Sequence, residues 1–149
     1  MNNAIVVGTD GSDTAQEALR RAADLARAFG VPLHVVSAYR ATTPGLVTAV
    51  SAEAGLVFQD TDWLIDLRTD VEERLERTRQ QLTSDGIKVD VHALPGNPVD
   101  AILQVAAELD ADMIVVGNKG MKGARRVLGS VPNTVAHKAE CSVLIAQTC

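Results

Sequence analysis

Wholly apolar runs alternate with segments of helical period along this chain, and that alternation narrows the fold more than any other feature. Such runs suit strands covered on both faces, as in a mostly parallel sheet with helices packed above and below it. Ala4–Thr9 (AIVVGT) is the first. Ser12 then offers a helix N-cap, and Ala15, Ala18, Leu19, Ala22, Leu25, Ala26 and Phe29 recur at helical spacing until Gly30 and Pro32 stop the helix. Leu33–Tyr39 reads as a second strand, and residues 41–60, with no clean period, as a long loop. From Thr61 to Gln81, Leu64, Leu67, Val71 and Leu75 lie among many charges. This predicts an amphipathic helix whose charged side chains form a solvated outer face, closed near Gly86.

The second half repeats the rhythm without repeating the sequence. Ile87–Leu94 alternates apolar residues with Lys88, Asp90 and His92 and reads as a half-exposed edge strand. Asn97-Pro98 opens a helix through Val99, Ile102, Leu103, Ala106 and Leu109. Met113–Gly117 is a buried type of strand, Ser130–Lys138 a short helix with Pro132 in its first turn, and Ser142–Ala146 the last strand. The expectation is one α/β domain over residues 1–149, with five strands and no linker.

Residues 113–139 carry five basic residues, Lys119, Lys122, Arg125, Arg126 and Lys138, and no acidic one, in a chain whose net charge is −5. Glycines at 117, 120, 123 and 129, followed by Ser130, place bare backbone amides in the same stretch. Glycine lets an anion approach those amides without a Cβ in the way, and the helix start at Ser130 adds a favourable dipole. The ligand this favours is phosphate. In open α/β sheets ligands sit beyond the carboxyl ends of the strands, which is where both this loop and Gly8-Thr9-Asp10-Gly11-Ser12 fall.

Other chemistries have less to stand on. The acidic balance argues against nucleic-acid and anionic-membrane partners. The first residues lack a basic, apolar leader, so a cytoplasmic location is expected. Cys141 and Cys149 form no CxxC or Cys/His cluster, and His34, His92 and His137 show no metal-ligand spacing. Each histidine reads as packing or surface. Neither a G-x4-G-K-[ST] loop, nor a G-x-G-x-x-G fingerprint, nor a G-x-S-x-G elbow occurs, so Ser12 and Ser130 read as caps rather than nucleophiles.

With these residues in place, the chain resembles the universal stress protein family, in its nucleotide-binding branch, over essentially its whole length. The resemblance rests on GTDGS at 8–12, LHVVSAY at 33–39, the Gly96-Asn97-Pro98 turn, and VVGNKG at 115–120 followed by GSVPNTVAHKAECSVLIA at 129–146. The family's ATP-binding pattern is G-x2-G-x9-G-[ST]. Gly117, Gly120 and Gly129-Ser130 match it in order, with eight residues in the second gap instead of nine.

The resemblance implies a Rossmann-like open sheet of five parallel strands in the order 3-2-1-4-5, with helices on both faces. It implies ATP as ligand, with or without magnesium, and cyclic AMP as the alternative, because the VGN…LGSVP segment is similar to that of members that bind it. By matching positions, Gly8, Thr9 and Asp10 border the ligand, with Asp10 by the ribose or a phosphate-bound metal. Val35 and Val116 frame the adenine, and Gly117, Lys119, Gly120, Arg125, Arg126, Gly129, Ser130 and Val131 hold ribose and phosphates. Plainer readings stay open beside these: Val35 and Val116 as strand core, Asp10 as a cap on the first helix, the glycines as turn residues. No catalytic residue is assigned. Beyond Asp10 no base is evident, so a stress-response binding module is expected, with slow ATP hydrolysis or phosphotransfer as the rival. Many relatives pair through the last strand, and its apolar run at 142–147 makes a homodimer the expected assembly.

Overall fold

The structure, a computed structural model, describes residues 3–39, 62–118 and 131–148, with the backbone alone at 62–67. The elements run β1 (Ile5–Gly8), α1 (Asp13–Phe29), β2 (Leu33–Tyr39), α2 (Asp62–Ser84), β3 (Val89–Pro95), α3 (Pro98–Glu108), β4 (Met113–Gly117), α4 (Val131–Lys138) and β5 (Ser142–Ala146). The strands form a five-stranded sheet in the order β3-β2-β1-β4-β5, and every pairing is parallel.

Local chemistry sets the boundaries. Ser12, in extended backbone, caps α1 by accepting from the Ala15 amide at 3.3 Å, and Gly30 ends it in the left-handed region at φ 66°. Asn97 caps α3 by accepting from the Asp100 amide at 2.9 Å, with Pro98 in the first turn, where its missing N–H costs nothing. Gly96, at φ 114°, turns the chain out of β3 while donating to the Tyr39 carbonyl at 2.9 Å.

Alternate strand residues feed two cores. Ile5, Val7, Leu33, Val35 and Val115 pack under α1 and α2, against the alanine stripe Ala18, Ala22, Ala23 and Ala26 and against Val71 and Leu75. Val6, Val36, Ile114 and Val116 pack on the opposite face against Ala101, Ile102, Val105 and Ala106 of α3 and Val135 of α4. Burying each of these branched side chains is worth about 1.5–3 kcal/mol, so the two layers dominate stability.

His34 and His92 pack as expected, and they do so against each other: parallel register sets them diagonally on one face, with His34 Nδ1 and His92 Nε2 2.9 Å apart. His92 therefore turns inward, leaving Lys88 and Asp90 as the exposed charges of the β3 edge. The contact needs one N–H and one bare nitrogen, so it holds one extra proton but not two. Burial pushes both imidazoles below their usual range; His92 and Lys88 push His34 further down, while Asp90 opposes this for both and Glu108 for His92.

A folded-state pKa below the unfolded value gives stability that is full above the unfolded pKa and lost as pH falls through the folded one. Lowering pH from about 7.5 to about 5.5 is therefore expected to lower Tm more in the wild type than in a His92→Gln variant. The difference should be about 2–4 °C, the Tm equivalent of about 1 kcal/mol in a chain this size, because the variant lacks one imidazole that burial keeps neutral. Equal acid sensitivity of the two proteins would contradict the pairing.

Candidate functional site

The central strand stops before its neighbours do. β1 pairs with β2 as far as Gly8↔Val36 and with β4 as far as Val7↔Val115, whereas β2 continues with β3 to Tyr39↔Pro95 and β4 with β5 to Gly117↔Ala146. A notch results at the carboxyl end of the sheet. Its floor is the end of β1, its walls are the ends of β2 and β4, and it lies where the strand order reverses.

The turn after β1 is held by its own side chains. Thr9 donates its amide to the Val36 carbonyl at 2.9 Å and accepts at Oγ1 from the Gly11 amide at 3.2 Å. Asp10 Oδ1 accepts from the Ser12 amide at 3.0 Å and from Ser12 Oγ at 2.5 Å. Gly11 sits at φ 78°, backbone that an L side chain rarely adopts. Asp10 thus braces the helix start, as the plainer reading has it, and its residue is exposed at the mouth of the notch. The two roles are compatible.

Other predicted positions divide by their packing. Gly8 lacks a side chain because Ile102 is there: an added Cβ would stand 2.4 Å from Ile102 Cδ1. At Gly117 an added Cβ would meet Thr148 Cγ2 at 3.1 Å and the Ala18 Cβ at 3.5 Å. Both glycines let helices or chain close on the sheet whatever is bound. Val35 and Val116 are 0% and 2% exposed and belong to the two cores on opposite faces of the sheet. Their side chains do not share one space, so a common ligand would meet their backbones. Val131 opens α4, half-buried. Lys119, Gly120, Arg125, Arg126, Gly129 and Ser130 lie outside the described residues, as does the 41–60 loop.

Two residues without a predicted role prove central to the geometry. Asn118 directly follows β4; its amide donates to the Ala146 carbonyl at 3.0 Å, and its Oδ1 accepts from the Thr148 amide at 3.0 Å and from Thr148 Oγ1 at 2.6 Å. The start of the glycine-rich segment is thereby tied to the chain leaving β5. The second is Arg74 of α2. The expectation that the charges of this helix form a solvated outer face holds for the exposed pairs Arg68–Glu72 and Arg79–Glu76. Arg74 instead turns inward and donates from Nη2 to Ser37 Oγ at 3.0 Å, at the first β2 residue past the notch floor.

The fold recurs in known proteins. The universal stress proteins MT1672 and Rv1636 of Mycobacterium tuberculosis are each 37% identical to the chain over 146 residues, covering 97% of it and 95% of their own length. A universal stress protein solved in complex with cAMP superposes with a TM-score of 0.77 at 29% identity, over 99% of this chain and 98% of its own. The universal stress protein of Archaeoglobus fulgidus, solved in complex with dAMP, gives a TM-score of 0.68 at 29% identity, over 96% of each chain. Residues 1–147 match the model of the universal stress protein family, and with sheet order, turns and relatives in agreement, the chain belongs to that family.

Proposed function

We propose that this chain is an adenine-nucleotide-binding regulatory protein that holds its ligand in the notch above β1. The supporting observation is the early end of β1 between two glycine-bearing loops, in a fold whose solved relatives include one bound to cAMP and one bound to dAMP. ATP is the ligand that the Gly117, Gly120, Gly129-Ser130 pattern favours. Those two complexes favour the second reading, a nucleotide with one phosphate such as cyclic AMP. The eight-residue gap between Gly120 and Gly129, one shorter than the pattern, also bears on a triphosphate. Asp10, exposed at the mouth, fits a ribose hydroxyl or a magnesium ion carried in on phosphate. A calorimetric series of ATP, ADP, AMP and cyclic AMP decides between them. Tightest binding by ATP supports the triphosphate and tightest binding by cyclic AMP the single phosphate, whereas no binding of any of the four would overturn the proposal.

The same geometry argues for binding over catalysis. Phosphoryl transfer at useful rates needs a group that positions the attacking oxygen, besides cations on the phosphates. Asp10 is the one candidate the sequence offers near the site, and one of its oxygens is committed to Ser12. ATP turnover is expected to fall far below the roughly 1–100 per second of kinases. Several turnovers per second, lost in Asp10→Asn, would establish an enzyme instead.

The assembly in this proposal is a homodimer through β5. Leu144 and Ile145 are neighbours on opposite faces of this edge strand, yet they are 37% and 41% exposed. An apolar edge uncovered on both sides is satisfied by the same edge of a second copy, paired antiparallel about a two-fold axis.

A further inference from the structure

Helix α2 sends a guanidinium into the notch that the glycine pattern does not contain. Arg74 is aimed from two sides. Its Nη2 donates to Ser37 Oγ at 3.0 Å, and Ser37 is itself 2% exposed. The Cδ, Nε and Cζ atoms lie along the turn after β1, 2.7–2.8 Å from where a Cβ on Gly11 would stand. The side chain therefore occupies the space that glycine leaves at position 11.

Its electrostatic setting lacks the expected counter-charge. Arg20, Arg21, Arg27, Arg68 and Arg79 each pair with a carboxylate, whereas Arg74 and Arg77 form no ion pair among the described residues; Arg77 is exposed to water, and Arg74 is half-buried. Arg74 Nε is buried without a hydrogen-bond partner among the described residues. The guanidinium also lies against the turn capped by Ser12, beside the N-terminus of α1, where the helix dipole is positive and disfavours a cation. A half-buried guanidinium and the positive end of α1, offset in its first turn by Asp13, meet at one place, and an anion on the guanidinium's remaining N–H groups would stabilise both.

We propose that Arg74 is an anion-binding residue of the nucleotide site, its guanidinium donating to a phosphate oxygen of the bound nucleotide. The inference rests on the nucleotide-binding reading above. It adds to that reading a cation from the β2–α2 side of the notch, held by Ser37 and the turn at Gly11. Arginine suits the role because its planar fork can keep Ser37 on one N–H while offering others to phosphate.

The test compares ligands with and without phosphate on the full-length chain. Calorimetry with ATP, cyclic AMP and adenosine should show Arg74→Gln weakening the better-bound nucleotide by about tenfold or more, with adenosine changed by less than about threefold. Arg74→Lys, which keeps the charge and loses the fork, should fall between, and Ser37→Ala should weaken nucleotide in the same direction. These two variants carry the test if Arg74→Gln does not fold. Unchanged nucleotide affinity would overturn the inference while leaving the site intact. Equal losses for adenosine and nucleotide would also overturn it, making Arg74 a brace for the Gly11 turn. A wild-type protein that binds no nucleotide would overturn the nucleotide reading itself.

Discussion

Valine in place of Gly129 is expected to abolish nucleotide binding while the protein stays folded. The residue directly precedes Ser130 and the start of α4, where in the proposed site bare amides and a favourable dipole would meet phosphate. A β-branched side chain there would displace the ligand from several charge-assisted hydrogen bonds, each worth about 1.5–3 kcal/mol. Two such bonds lost correspond to a fall in affinity of roughly a hundredfold or more. Position matters in choosing the variant. Valine at Gly8 would strike Ile102, and at Gly117 it would press on Thr148 and Ala18, so both would confound stability with binding. Charge reversal at Arg125 and Arg126 should weaken ATP far more than adenosine, because only ATP brings phosphate. Unchanged affinity in a folded Gly129→Val protein would remove the glycine-rich loop from the site.

Lysine at both Val143 and Ile145 is expected to turn a dimer into a monomer. In the proposed assembly β5 of each copy pairs with the other, and the side chains of 143 and 145, on one face of the strand, lie close to the two-fold axis. Four ammonium groups would then crowd one apolar seam, where like charges repel and burial strips their water. Sedimentation at micromolar concentration should give a dimer for the wild type and a monomer for the double variant. The fold should survive, since Val143 is only half-buried and Ile145 exposed. A wild-type chain that sediments as a monomer would refute the interface.

Features built from neighbouring residues were the most legible in the sequence. The Ser12 and Asn97 caps, the Gly30 stop and the buried strands at 5–8 and 113–117 depend on local chemistry, and each stands where the residues put it. Strand order came through the family resemblance, because loops alone do not say which strands pair. The contacts that were missed are the ones that register creates. His34 and His92 are far apart in the chain and meet only because β2 and β3 pair in parallel with Val36 opposite His92. Arg74 looks like one more charge on an amphipathic helix, and what sets it apart is Ser37 on a strand 37 residues away. Asn118 gave a faint signal, an amide directly after a buried strand, but its partner Thr148 lies past the next strand. The glycines mislead in the opposite direction. Gly8 and Gly117 match a ligand motif, yet both also have packing reasons to be glycine that no motif reveals.

The central claim is a place: adenine nucleotide above β1, between the turn at residues 8–12 and the segment that begins at Gly117. Backbone amide chemical shifts, followed as ATP or cyclic AMP is added to the full chain, test it most directly. Changes concentrated in Gly8–Ser12 and Gly117–Val131, at the carboxyl ends of the central strands, are the predicted result. Changes confined to the amino ends of the strands or to the β3 edge, with the notch unperturbed, would contradict it.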